Sequence, residues 1–376
     1  MRQKRKYPII RWGYFSMKIA LVHDYLIEAG GAERVLRVLA DMYPEAPIYT
    51  ALSKNGTARA MFGDRKIVES KWSWFLKIDR FYSYLRFLLP WIWKSMDLTK
   101  YDMVITSCSG YIARGFTVRN DATVIAYCHT PPRWLYGYDT PTGAQARWWG
   151  QAFMWVVGPF VRYFDFESAQ RVDKWVANSK EVAKRIEKFY RKEATVIYPP
   201  VEVGPKSSNH SPKIAQGSEL EYYLMISRIV GGKGILEAAK AFKKLGIKLK
   251  VVGEVVDYKL GEKVECVGRV DDSELAELYS GAKGFVALAR DEDFGMTVVE
   301  SMLYGVPVLA YHGGGYLETV VPGKTGIFVE DTSTESIDRA IKQMEKTKWE
   351  AKEIKTWASK FGRDRFEKEI RNIVGV

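Results

Sequence analysis

Two carboxylates, Glu292 and Glu300, bracket the stretch Asp293-Phe294-Gly295-Met296-Thr297. Residues 284–289 before it are a short apolar run with strand character. Residues 296–304 after it are helical in pattern and stop at Gly305-Val306-Pro307. An apolar run at 308–311 follows, so the pair frames a strand-to-helix turn inside a β-α-β unit. Such a turn offers the free N–H groups of a helix N-terminus, which suit a phosphate. Carboxylates repel phosphate and suit sugar hydroxyls. A ligand with a diphosphate in the middle and sugars at its ends, a nucleotide-sugar, satisfies both. Acids near a helix start also arise from the helix dipole alone, so the pair by itself leaves that alternative open.

A second loop, Ser227-Arg228-Ile229-Val230-Gly231-Gly232-Lys233-Gly234, also follows a strand and precedes a helix. Its glycines let the backbone approach a ligand, and Arg228 and Lys233 bring positive charge. The spacing matches neither the P-loop nor the dinucleotide fingerprint G-x-G-x-x-G. In a doubly wound sheet both loops emerge at the carboxyl edge, where ligands bind. Arg228, Lys233 and the helix end at Gly295, Met296 and Thr297 can then clamp one diphosphate, and the two cations can stabilise it as it departs without a metal. His129 directly follows a strand at 123–127, and Asp24 follows the first strand, where it can meet an acceptor. The alternatives are a structural hydrogen bond for His129 and a turn cap for Asp24. His312 and Glu318 are weaker candidates, readable as a loop filler and a helix-start residue.

These loops need a scaffold of alternating strands and helices. Strands are expected at 18–22, 103–106, 123–127, 174–177 and 195–198, with a helix from about 32 to 42. A second series runs through strands at 222–227, 248–252 and 264–267 and helices at 235–245 and 273–279. Alternation of this kind predicts parallel sheets covered on both faces. Residues 204–218, rich in Ser, Pro, Gly and Lys, read as a linker between a domain at 17–203 and another at 219–348. The tail, 349–376, reads as a helix that packs back on the first domain. Residues 1–16 carry five basic residues and no acid, without the pattern of a signal peptide. They are either a start-site artefact or a basic arm.

Charge is unevenly spread over the 376 residues: positions 1–200 hold 31 Lys+Arg against 18 Asp+Glu, and the rest hold 26 against 27. Ten of the 12 tryptophans fall in that basic part. Basic charge with interfacial aromatics suits an anionic membrane surface; no nucleic-acid recognition module accompanies it. The segment KWSWFLKIDRFYSYLRFLLPWIWK, 71–94, is too interrupted by charge to span a bilayer. It reads as a helix lying in the interface, the alternative being a hairpin packed on the sheet. A second aromatic patch at 148–155 either joins it or is core. Three scattered cysteines and four histidines show no metal spacing and fit buried thiols in a reducing compartment.

Taken in order, Ser227-Arg228…Lys233-Gly234, Val252-Gly253, Val267-Gly268-Arg269-Val270 and Glu292-Asp293-Phe294-Gly295…Glu300 resemble the retaining glycosyltransferases of family 4. Gly313-Gly314 with Glu318, and Gly323-Lys324-Thr325-Gly326, extend the likeness. The first domain adds Gly30-Gly31-Ala32-Glu33-Arg34, Cys128-His129-Thr130-Pro131-Pro132-Arg133, Ala177-Asn178-Ser179 and Val196-Ile197-Tyr198-Pro199-Pro200-Val201. The resemblance spans residues 17–345, and the His-Thr-Pro and Tyr-Pro-Pro-Val elements look most like mannosyltransferases of bacterial O-antigen assembly. Two features depart from the usual pattern, Gly231-Gly232 in the glycine-rich turn and the heavily aromatic 71–94.

The resemblance implies an α/β fold of the GT-B type, two Rossmann-like domains facing across a cleft. It implies that Glu300 holds the nucleotide ribose, Glu292 the donated sugar, and Arg228 and Lys233 the diphosphate. Gly30, Gly31 and Gly253 would let backbone approach the donor, and His129 would face the sugar. The expected activity is retaining transfer of a hexose, first choice mannose from GDP-mannose, to a lipid-linked or polysaccharide-precursor acceptor. It would need no cofactor or metal and would act at the cytoplasmic face of the membrane. Rival expectations are a nucleotide-sugar epimerase of the same fold and a membrane-bound scaffold with a degenerate site. A dehydrogenase is disfavoured by the missing fingerprint.

Overall fold

The computed structural model describes residues 17–77, 81–138, 148–202, 222–227, 233–253 and 263–375. Arg228, Gly231, Gly232, residues 1–16 and the expected linker 204–218 lie outside the described residues. Two sheets, parallel throughout, organise the chain. The first has seven strands in the order β3-β2-β1-β4-β5-β6-β7. These are β1 (Ile19–His23), β2 (Ile48–Thr50), β3 (Ile67–Glu69), β4 (Met103–Cys108), β5 (Thr123–Cys128), β6 (Lys174–Ala177) and β7 (Thr195–Val196). The second has six in the order β10-β9-β8-β11-β12-β13. These are β8 (Tyr222–Ile226), β9 (Lys248–Val252), β10 (Val264–Gly268), β11 (Ala282–Ala287), β12 (Val308–Tyr311) and β13 (Gly326–Val329).

Each sheet is covered on both faces, which is why the central β4 is buried at all six residues. Helix Gly31–Met42 presents Val35, Leu36, Val38 and Leu39 to one such core. Strand order reverses between β1 and β4 in the first sheet and between β8 and β11 in the second. Crevices form at such switch points, and the loops singled out above leave from these strands. β7 is shorter than expected. Ile197 still bonds Ala177, N to O at 2.9 Å, but Tyr198 leaves the sheet and its ring meets Phe294 and Phe361 of the second domain at 5.5 and 5.4 Å.

The tail returns to the first domain as expected, but as two helices, Ala351–Ala358 and Arg363–Val374, parted at Gly362. Ile354, Ala358 and Phe361 belong to the second domain's core, whereas Phe366, Ile370 and Val374 belong to a core of the first. The described part of 71–94 is not one helix but the short helices Ser73–Leu76 and Leu89–Lys94 around a 3-10 turn. Apolar residues lie on every side of this segment, so it winds inward and buries Leu76, Leu89, Ile92 and Trp93. Cys108 and Cys128 are buried as expected, and Cys266 is half-buried.

Candidate active site

The Glu292 turn follows β11 and ends at Gly295, whose φ of +88° starts helix Met296–Leu303 without any side-chain cap. A Cβ at Gly295 would also lie 2.8 Å from the Tyr316 ring. The turn is backed by Gly314 and Gly315: the Gly315 amide donates to the Glu292 carbonyl at 2.9 Å. A Cβ on Gly314 would lie 2.4 Å from that carbonyl oxygen, and one on Gly315 2.4 Å from Phe294 Cα. The Glu292 carboxylate accepts from Lys233 Nζ at 2.8 Å. Burial alone would raise its pKa, but the Lys233 charge and hydrogen bond, with the Arg133 guanidinium, hold it below the ordinary value. Lys233 and Glu292, from two different loops, thus meet at the carboxyl edge of the second sheet.

Glu300 sits in the middle of the helix and is 6% exposed. Tyr279 Oη donates to one oxygen at 2.9 Å and Arg34 Nη1, from the first domain, to the other at 2.5 Å. Gly253, at φ +145°, ends β9 with its amide on the Gly268 carbonyl.

Across the cleft, Gly30 and Gly31 open helix Gly31–Met42. A Cβ on Gly31 would come within 3.0 Å of Met296 Sδ, so the two domains' helix starts nearly touch here. His129 is 9% exposed, and its Nε2 shares a 2.7 Å hydrogen bond with Ser107 Oγ. Ser107 Oγ also meets His23 Nδ1 at 3.0 Å, and His23 Nε2 lies 3.4 Å from Glu33. The other Glu33 oxygen accepts from the Gly30 amide at 2.9 Å. A continuous polar chain therefore links the glycine turn to His129. Burial, reinforced by His23 and opposed by Glu33, pushes His129 down to about 3, so its ring is neutral at neutral pH. Burial raises the Glu33 carboxyl, but the hydrogen bond and charge of His23 win and hold it low.

Asp24 is placed differently from a residue that meets an acceptor. It is 1% exposed. Its oxygens accept from the amides of Ser109, Tyr111 and Ala113 at 2.9–3.0 Å and from Ser109 Oγ at 2.6 Å. It shapes the 109–113 loop at the end of β4. Trp93 and Trp134 fix the Tyr111 and Gly110 carbonyls of that loop at 2.7 and 2.8 Å.

Further bridges span the cleft. Asp293, next to Glu292, pairs with Arg133 at 2.5 Å and with Arg185 at 2.8 Å. Glu318 of the second domain accepts from the Lys180 and Glu181 amides at 2.8 and 3.1 Å, which satisfies the start of helix Lys180–Tyr190 in the first. Glu33, Arg34, Arg133 and Asp293 lie within the sequence motifs, which do not reveal their partners, whereas Ser107 and Arg185 stand outside every motif. A polar residue inside the apolar β4 was the available sign for Ser107; nothing local marks Arg185. His312 pairs with Glu330 near the surface, away from these bridges.

The arrangement places a carboxylate held by lysine, a second carboxylate held by arginine and an uncapped helix start around one cleft. Comparison with known proteins agrees. Residues 29–204 match the family model described as Glycosyltransferase Family 4, and residues 207–361 that described as Glycosyl transferases group 1. An uncharacterized glycosyltransferase of Methanocaldococcus jannaschii is 24% identical over 192 residues, 49% of this chain and 52% of that protein. The alpha-1,3/1,6-mannosyltransferase alg-2 of Neurospora crassa is 51% identical over 49 residues, 13% of this chain and 10% of that protein. The chain thus matches about half the length of the first relative and a tenth of the second. The crystal structure of Anabaena HepE in complex with UDP-glucose superposes with a TM-score of 0.65 at 16% identity, covering 96% of this chain and 100% of that one. With both domain models matched in order on this two-sheet architecture, the chain belongs to the family 4 glycosyltransferases of the GT-B fold.

Proposed function

We propose that this protein moves a hexosyl group from a nucleoside-diphosphate hexose to an acceptor hydroxyl with retention at the anomeric carbon. The observation that carries the proposal is the Lys233–Glu292 pair beside the uncapped start of helix Met296–Leu303. The sugar's C1–O bond to the diphosphate breaks while the acceptor oxygen bonds C1 from the same face. The leaving phosphate oxygen takes the acceptor's proton. Lys233, Arg228 and the Met296 and Thr297 amides receive the developing charge, an arrangement that needs no metal. Glu292 orients hexose hydroxyls. The ribose takes the place of Arg34 on Glu300, and His129 faces the sugar from the first domain.

The favoured donor is GDP-mannose, supported by the O-antigen-like motifs and the short match to a mannosyltransferase; a UDP-hexose is the alternative that the HepE complex suggests. The favoured acceptor is a lipid-linked glycan reached at the membrane's inner face. Thermal stabilisation by a panel of GDP- and UDP-sugars identifies the donor, since a ligand at about 100 times its Kd adds ~2.7 kcal/mol. With that donor, Glu292→Ala and Lys233→Ala each lower transfer by about 10²–10³-fold, the scale of losing one transition-state donor. Near-normal transfer by either variant refutes the assigned roles.

A further inference from the structure

Over its described side chains, helix Trp148–Gln170 is apolar on both sides, its inward face packing Met154, Val157, Val161, Phe164 and Ala169 into the first domain's core. Its inward face carries Asp165, ion-paired to the buried Arg114 and accepting from Tyr136 Oη at 2.7 Å. Its outward face is apolar: Trp155 is 81% exposed, Tyr163 67%, and Val156 and Phe160 are exposed between them. Positions 155, 156, 159, 160 and 163 make one stripe at helical spacing. The stripe continues onto the next segment, where the exposed Trp91 packs on Phe160 with ring centroids 5.5 Å apart. Trp74, 67% exposed, belongs to the neighbouring short helix. Scattered exposed apolar residues are ordinary, but a joined patch of this size marks a surface that something covers.

Charge selects the cover. The segments that build the patch, 71–77, 85–96 and 154–163, contain five Lys or Arg and no Asp or Glu; Lys77 is paired with Glu69, which leaves four cations unneutralised by it. Lys71, Lys94 and Arg162 are exposed among its aromatics. Tryptophan and tyrosine at a surface with cations and no acids match the headgroup layer of an anionic bilayer. No helix of the described residues is long and apolar enough to cross one. The patch also adjoins the cleft. Arg86, from the Trp91 segment, lies over the Tyr111 and Trp134 rings at 5.5 and 5.1 Å, and Trp93 and Trp134 hold the 109–113 loop at the end of β4.

We infer that the outward stripe of helix Trp148–Gln170, with Trp74 and Trp91, is a docking surface for an anionic lipid bilayer, and that it sets the first domain's side of the cleft against the headgroups. This deepens the membrane part of the function proposed above and rests on that reading only for what enters the cleft.

The test is co-sedimentation of the full chain with vesicles of phosphatidylcholine alone and of phosphatidylcholine mixed with phosphatidylglycerol. The wild-type chain is expected to pellet with the mixed vesicles, weakly with the neutral ones, and less as salt is raised. Lys71→Ala and Lys94→Ala each weaken binding about fivefold, the ratio equivalent to ~1 kcal/mol per cation near an anionic surface. Trp155→Ser combined with Phe160→Ser abolishes it, with the circular dichroism of both sets unchanged. Failure of the wild type to bind mixed vesicles, or wild-type binding by both sets of variants, overturns the inference. So does a wild-type dimer that becomes monomeric in the Trp155→Ser, Phe160→Ser protein, since a second copy would then own the face. Nucleotide binding by calorimetry, run on the same samples, belongs to the transfer reading and fails or holds independently.

Discussion

His129 shows how much one buried ring depends on residues that never reach the cleft. Glu33 takes His23 Nε2, and Ser107 Oγ bridges His23 Nδ1 and His129 Nε2, so the serine hydroxyl fixes how the His129 ring is turned. Ser107→Ala removes that orientation. It is expected to lower transfer about tenfold or more, largely in kcat, while Ser107→Thr restores most of it; equal losses in both would point to simple misfolding. The same burial has a stability signature. His129 titrates near 3 in the folded chain against an ordinary 6.5, so between those values only the unfolded chain binds the proton. Stability is full above about pH 6.5 and declines as pH falls toward 3. Melting temperature measured from pH 7 to 4 should fall, and His129→Gln should flatten the slope. Position after β5 made His129 visible in the sequence. Its partners stayed hidden because contact between β1 and β4 pairs residues 84 positions apart.

At the scale of elements, the Glu292 turn is moulded by glycines from a different loop. Gly315→Ala would drive a methyl group into Phe294 Cα and the Asp293 carbonyl. Overpacking of this kind costs about 1–3 kcal/mol, and it is expected to weaken donor binding as well, measured by urea unfolding and calorimetry together. Unchanged donor binding would mean that the turn does not need this backing. Strand-helix alternation was legible because period and turn residues are local. Thus helix Ile235–Leu245 and strand β9 fall where expected. The short strands β2 and β3, three residues each, gave no periodicity to read. The aromatic 71–94 misled for a related reason: composition reports that tryptophans are many, but not that Trp93 is buried while Trp91 is exposed.

Over the whole molecule, the two domains are joined by crossings of the chain and by charge. The final helix docks on the first sheet, where Lys174 Nζ donates to the Ile373 carbonyl at 2.6 Å and Phe366 meets Tyr127. Across the cleft, Asp293 is shared by Arg133 and Arg185. Removing it by Asp293→Ala deletes both ion pairs that tie this turn of the second domain to the first, so the cleft should open. Small-angle scattering is expected to show a larger radius of gyration, and added salt should enlarge the wild type in the same direction. No change in either would assign closure to the hydrophobic seam of Tyr198, Phe294 and Phe361 instead. Helix Lys180–Tyr190 carries a further consequence. Two of its first amides are satisfied by Glu318, a residue of the opposite domain, so any opening of the cleft strips them bare. Hydrogen-exchange rates at Lys180 and Glu181 therefore keep time for the domain motion, one amide pair reporting how often the enzyme breathes and how far a bound donor slows it.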